Sequence, residues 1–156
     1  MIDIRRISHD DPLYAQARAL RDHALLRPLG LTIEQFEDLQ PGVDRIAEHF
    51  VAIADHPSGP RVIATATLRV DDPGSGVGRL QQMVVDIQRR GEGIGRKLIV
   101  AVESRAFGEL GLSELFCTAS TDACPFYQQL GWSTDGQPFD EAGIPHQRFV
   151  LRADHL

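Results

Sequence analysis

One stretch constrains this chain more than any other: Gln88-Arg89-Arg90-Gly91-Glu92-Gly93-Ile94-Gly95-Arg96-Lys97. Its glycines occupy every second position between two apolar runs, Met83-Val84-Val85 and Leu98-Ile99-Val100-Ala101-Val102. The first run reads as the end of a strand and the second as the body of a helix. Glycines at such a junction let the backbone turn sharply and leave its N–H groups free of side-chain cover. A helix N-terminus adds unpaired N–H groups and the positive end of the helix dipole, which together bind phosphate. The stretch carries four cationic side chains and one acid on a chain of net charge -6. A basic loop on an acidic protein points to one specific anionic ligand, and we read the loop as a pyrophosphate holder.

The rest of the composition narrows the setting. A chain of 156 residues is expected to form a single domain, 1–156, large enough for one buried core. No apolar run approaches the roughly 18 residues of a membrane span, so no membrane partner is expected. The start, Met1-Ile2-Asp3-Ile4-Arg5-Arg6, has mixed charge and no apolar signal core. Cys117 and Cys124 do not make a disulfide framework, and cytoplasmic residence is the expectation. The acidic balance argues against nucleic acid as a partner. No metal is expected: His49 and His56 match no ligand spacing, and there is no His-Glu-x-x-His.

Taken in order, Ile2, Ile4 and Ile7 suggest an edge strand. Ser8-His9-Asp10-Asp11-Pro12 then supplies helix-start chemistry for a helix from about Leu13 to Leu26, ended by Pro28 and Gly30. Thr32 with Gln35 resembles a capping box for a second helix to about Leu39. These two helices are expected to form a flap. Glu34, Glu37, Asp38, Asp44 and Glu48 lend it an acidic cast that suits a cationic amine. Residues 49–87 read as three consecutive antiparallel strands separated by turns at Asp55–Pro60 and Asp72–Gly76. A helix from about Gly95 to Leu110 follows, with Ile94, Leu98, Ala101, Val102 and Ala106 on its buried stripe. The strand Leu115–Ala119 should lie parallel to Leu80–Ile87, because a helix crosses over between them. A short helix at Phe126–Leu130, an extended segment from Trp132 and a last strand at Arg148–Arg152 complete a mixed α/β fold.

Three phosphate loops compete for the glycine stretch. A dinucleotide fingerprint, Gly-x-Gly-x-x-Gly, fails in both registers: from Gly91 the sixth position is Arg96, and from Gly93 it is Leu98. A nucleoside-triphosphate loop needs Gly-Lys-Ser/Thr, which is absent. The third fits. Gln88-x-x-Gly91-x-Gly93, after an apolar strand and before a helix, resembles the acyl-coenzyme A loop of the GNAT superfamily of N-acetyltransferases. Ala123-Cys124-Pro125-Phe126-Tyr127-Gln128-Gln129-Leu130-Gly131-Trp132 is similar to that superfamily's Ala-x-x-Phe-Tyr-x-x-Leu-Gly-aromatic helix. Phe139-Asp140-Glu141-Ala142-Gly143-Ile144-Pro145-His146 resembles the Glu-x-Gly-Ile-Pro-His segment of some small bacterial members. The three motifs stand in order across residues 80–150.

The resemblance implies a GNAT fold: a mixed central sheet with an antiparallel N-terminal meander, splayed central strands and flanking helices. It implies acetyl-coenzyme A as co-substrate, with Met83, Val84 and Val85 pairing through their backbone with the pantetheine arm. Gln88, Arg89, Arg90, Gly91, Glu92, Gly93, Ile94, Gly95 and Arg96 would hold the pyrophosphate. It further implies N-acetyl transfer to a small-molecule or peptide amine by direct attack in a ternary complex, and it allows a homodimer. Tyr127 takes the family's place for the general acid at the departing thiolate. For the base, Glu48, His49, Asp86, Glu141 and His146 are chemically able; Glu141 and His146 lie near the family's C-terminal strand, and the family often uses a water chain. Cys124, three residues before Tyr127, suggests an acyl-cysteine route, but nothing in its sequence surroundings lowers a thiol pKa. The rival from another class is a non-catalytic acyl-coenzyme A sensor, which would need the loop but not Tyr127.

Overall fold

The alternation read at Val62–Val70 becomes the longest strand of the sheet, because its side chains are buried on both faces from Val62 to Leu68. The structure is a computed structural model that describes residues 1–155. In chain order the elements are β1 (Ile2–Ile7), α1 (Tyr14–Leu20), α2 (Ile33–Leu39), α3 (Val43–Ile46), β2 (Glu48–Ala54), β3 (Arg61–Val70) and β4 (Val77–Val85). Beyond them lie α4 (Ile94–Glu103), β5 (Glu114–Ser120), α5 (Cys124–Gln129), β6 (Ser133–Thr134), β7 (Phe139–Glu141) and β8 (Ile144–Arg152). The strands form one eight-stranded mixed sheet in the order β1-β2-β3-β4-β5-β8-β6, with β7 paired to β8. This is the mixed α/β class that the sequence predicts. β2 runs antiparallel to β1 and β3, and β5 runs parallel to β4. The parallel ladder covers Val77–Arg79 against Glu114–Phe116 only, although β4 continues to Val85 and β5 to Ser120.

The chain packs as two compact units, Met1–Arg69 with Gln82–Val102, and Val70–Gln81 with the remainder from Glu103. In the first, Tyr14, Ala17 and Leu20 lie on one face of α1, three residues apart, and pack with Ile7, Val51, Ile53, Val62 and Val84. A smaller cluster joins Leu26, Ile33 and Phe36. The helices expected to form a flap therefore contribute to the core of this unit. α1 runs on through a wider π-helical segment, Arg21–Leu26, and a final turn, Arg27–Leu29, which Gly30 stops at φ 84°. The capping box at α2 forms as predicted, with Thr32 Oγ1 accepting from the Gln35 amide and Gln35 Oε1 from the Thr32 amide. On α4 the buried residues are Ile94, Gly95, Leu98, Ile99 and Val102, whereas Ala101 is only half-buried. Ala106, just beyond α4, is buried as well, so the predicted stripe holds except that Ile99 takes the place expected of Ala101.

In the second unit β8 lies between β5 and β6 and buries Phe149, Val150 and Leu151. It begins at Ile144, earlier than the Arg148 start predicted, and β7 folds back on it to make a hairpin. The two residues between them, Ala142 and Gly143, both have positive φ, 53° and 78°, as a tight hairpin turn demands. Pro145 is tolerated because the ladder to β5 ends at Ser120–His146, one residue short of it.

Candidate active site

In the first unit, the glycine stretch joins β4 to α4. Asp86 starts the turn: its carboxylate accepts from the Gln88 amide at 3.0 Å and its carbonyl from the Arg89 amide at 2.9 Å. Gly91 and Gly93 then take left-handed backbone, φ 83° and 78°, which other residues adopt only at a cost. Gly95 is already inside α4 and buried. Gly91, Glu92 and Gly93 are exposed, and no heavy atom lies within 4 Å of where a Cβ on Gly91 or Gly93 would sit. The Lys97 amide bonds to the Gly93 carbonyl at 3.2 Å. The amides before it are those that the first turn of a helix leaves without intrahelical partners.

The cations around the loop are not equivalent. Arg89 faces Glu92, Nε to carboxylate 3.0 Å, so these two largely cancel. Arg90 Nε donates to the Val85 carbonyl at 3.1 Å and so ties the loop to the end of β4. Arg96 and Lys97 are exposed on the first turn of α4. Ile94 is buried and anchors that turn. Of Met83, Val84 and Val85, only Val84 is fully buried; β4 stays tied to β3 just beyond them, where the Asp86 amide donates to the Ile63 carbonyl at 2.7 Å.

A second feature of this unit was not found from the sequence. Arg21 is 0% exposed, with Nη1 and Nη2 on the two carboxylate oxygens of Asp44 at 2.6 and 3.2 Å. Its Nε donates to Gln82 Oε1 at 3.2 Å, and its guanidinium lies 5.4 Å from the centre of the Phe36 ring. Tyr14 donates a further hydrogen bond to the Asp44 carboxylate, and His49 Nε2 contacts the Asp44 carbonyl at 2.7 Å. Burial pushes the Asp44 carboxyl up, but the Arg21 and Tyr14 bonds outweigh it and hold the carboxyl below its usual range. Burial keeps His49 neutral by lowering its pKa, and burial with the Asp44 bond holds the Tyr14 proton. The signal available was spacing: 14, 17 and 21 share a helix face, and a charge on an apolar stripe needs a buried partner.

An open pocket of ≈ 150 Å³ beside this cluster is lined by His9, Phe36, Glu37, Gln40, Gly42, Asp44 and Arg45. Its acids are already answered: Asp44 by Arg21, and Glu37 by Arg18 at 2.6 Å. Arg6 sits 3.3 Å from Glu48. The acidic cast read from the sequence is therefore largely neutralised by arginines. His49, as a fully buried neutral ring, is closed to an incoming amine.

In the second unit α5 places Tyr127 on the aromatic core. Its ring stacks on Phe149 at 5.7 Å and tilts against Trp132 at 5.4 Å, and the indole Nε1 of Trp132 donates to Glu103 at 2.9 Å. Tyr127 is 6% exposed. Burial, followed by the charge and hydrogen bond of Cys117, raises its pKa well above the usual phenol value. Burial pushes the Cys117 thiol up to about 12, so it stays protonated. Cys124 donates to the Ser120 carbonyl at 3.4 Å, a helix-start contact. The β7–β8 hairpin brings Glu141 and His146 together, carboxylate to Nε2 3.4 Å, with the His146 ring stacked on Phe139. His146 and Phe149 are three residues apart on β8, so their side chains leave opposite faces of the strand. Tyr127 lies on the Phe149 face, and the Glu141–His146 pair on the other.

Among the described residues there is no cluster of three or more potential metal ligands, and no helix is long and apolar enough to cross a membrane. The family model for the acetyltransferase (GNAT) domain matches residues 48–153. A candidate acetyltransferase of Bacillus subtilis is 26% identical over 153 residues, covering 98% of each chain. A Synechocystis protein is 32% identical over 63 residues, and that match spans only 41% of its length. The crystal structure of a candidate N-acetyltransferase from Lactobacillus plantarum superposes with a TM-score of 0.81 at 25% identity, covering 97% of both chains.

Proposed function

Since the chain belongs to the GNAT acetyltransferase family, we propose that it moves an acetyl group from acetyl-coenzyme A to a primary amine by direct attack in a ternary complex. The observation that carries this reading is the loop: two left-handed glycines, exposed, immediately before the free amides of α4. That backbone accepts a pyrophosphate without displacing any side chain. Arg96 and Lys97 supply charge at its edge, while Arg89 remains with Glu92. The backbone of Met83, Val84 and Val85 pairs with the pantetheine arm, and one N–H there polarises the thioester carbonyl.

The amine nitrogen bonds to the carbonyl carbon, the carbon–sulfur bond breaks, and the coenzyme leaves as thiolate. Tyr127 answers that thiolate. Ordinary values near 10 for a phenol and near 8.5 for a thiol make full proton transfer uphill by about 2 kcal/mol. Burial of Tyr127 widens the gap. Its role in this reading is thus to donate a hydrogen bond to sulfur while keeping its proton. The attacking nitrogen loses its proton to water, with Glu141 and His146 as the final acceptors from the other face of β8.

The test is release of coenzyme A thiol from acetyl-coenzyme A in the presence of a panel holding a polyamine, an aminoglycoside, free amino acids, a peptide N-terminus and a lysine peptide. Turnover with one class is expected. Coenzyme binding with no turnover across the panel would favour the sensor instead. With an active amine in hand, Tyr127→Phe should lower kcat by about 10- to 100-fold and leave the acetyl-coenzyme A KM within about twofold. His146→Gln should reduce kcat about threefold or more at an unchanged coenzyme KM; an unaltered kcat would remove the hairpin from proton transfer.

A further inference from the structure

Gln82 sits inside β4 with φ 53°, a left-handed backbone that a residue with a Cβ adopts at a cost of about 1–2 kcal/mol. A left-handed residue inside a strand makes a bulge and re-aims the next stretch of backbone. That stretch begins with Met83, the first of the three residues whose backbone is proposed to pair with the pantetheine arm and, through one N–H, to polarise the thioester carbonyl. The side chain of Gln82 is held by Arg21 Nε at 3.2 Å, and Arg21 is in turn fixed by both oxygens of Asp44. A guanidinium buried to 0% exposure is rarely the most stable solution for a core, since an apolar side chain of similar volume often serves as well. We infer that Arg21 is a positioning residue: with Asp44 as its anchor, it holds Gln82 left-handed and so sets the course of β4 through Met83–Val85. This rests on the proposed acetyl transfer and adds to it a device that acts on the pantetheine arm and the acyl group while leaving the pyrophosphate loop alone.

The consequence is an order of rates set by backbone tolerance. Gln82→Gly loses the Arg21 contact but adopts positive φ freely, and Gln82→Asn favours that region with a shorter side chain. Gln82→Ala keeps the strain without the contact, and Gln82→Val resists the conformation most strongly. With the most active amine of the panel, kcat is expected to fall in the order Gly and Asn, then Ala, then Val, with Val at least about tenfold below Gly. Adenosine diphosphate, which carries the pyrophosphate but neither the pantetheine arm nor the acyl carbonyl, should bind all four variants within about twofold of the parent, because the loop is untouched. Arg21→Lys keeps the charge beside Asp44 but loses the Nε donor. It should lower kcat in the parent chain and have no further effect beside Gln82→Gly. The Gln82 series leaves the buried ion pair whole, so thermal melting confirms that each variant is folded.

An active parent in which Gly is as slow as Val would overturn the inference alone, by making the glutamine side chain a direct substrate contact. Equal costs of Arg21→Lys in the glycine background and in the parent would overturn it as well. A parent chain that acetylates no amine overturns the acetyl-transfer reading, and this inference with it.

Discussion

Gly93→Val should cost at least about 100-fold in acetyl-coenzyme A affinity, roughly 2.7 kcal/mol, measured by calorimetric titration. Two effects add. A β-branched residue at φ 78° is a backbone outlier, so the loop must distort before it can present its amides. In addition, a side chain there points into open space, since no heavy atom lies within 4 Å of its Cβ, and open space is where the pyrophosphate is proposed to lie. Because nothing in the folded chain is struck, the loss of stability should stay near 1–2 kcal/mol, the backbone penalty alone. Gly30→Ala is the control. Gly30 has φ 84° and an equally empty surround, but it ends the turn after α1, away from the loop in sequence. It should show a similar stability loss with no change in coenzyme affinity. Normal binding by Gly93→Val would sink the loop assignment.

Asp44→Ala is expected to lower the unfolding free energy by about 3–5 kcal/mol, because it leaves the Arg21 guanidinium buried with no counter-charge. Tyr14 would lose its acceptor in the same step. Urea denaturation at pH 7 measures this, and a loss below about 1 kcal/mol would show that the cluster contributes little. The same cluster sets how stability depends on pH. Asp44 has a folded pKa below its unfolded value, so its contribution is complete above about pH 4 and is lost as pH falls through the folded value. His49 has a folded pKa lowered by burial, so below about pH 6.5 the unfolded chain takes up the proton first and gains on the folded one. Both signs agree: stability falls with acidification, first through His49 and later through Asp44. Between pH 7 and pH 5 the urea midpoint should drop, and His49→Gln should remove most of that drop.

The features legible in the sequence were those that depend on neighbours along the chain. The capping box of Thr32 and Gln35, the turn at Gly30, the alternation of β3 and the crossover that makes β5 parallel to β4 all rest on local spacing. The Ala142-Gly143 hairpin was missed because alanine is an unusual choice at positive φ, so the turn carried only half of its usual signature. The acids of α2 and α3 were read as a free negative face, since sequence spacing does not reveal that Arg18 reaches Glu37 or that Arg21 reaches Asp44. Tyr127 and His146 both stood in motifs, yet their separation across β8 depends on which strand face each element packs against.

By itself, the sequence determined the family, the order of elements apart from the short α3 and β7, and the place of an exposed glycine turn before a helix. Glycine at alternate positions before a helix leaves the amides uncovered whatever the rest of the chain does. Only the tertiary structure decided the rest of the site's first unit: that Arg21 is buried, that it meets Asp44 23 residues on, and that it holds Gln82 61 residues on. A buried charge is stable only where a counter-charge is folded against it, and a strained φ persists only where something distant holds it. Neither condition is written in the residues next to them.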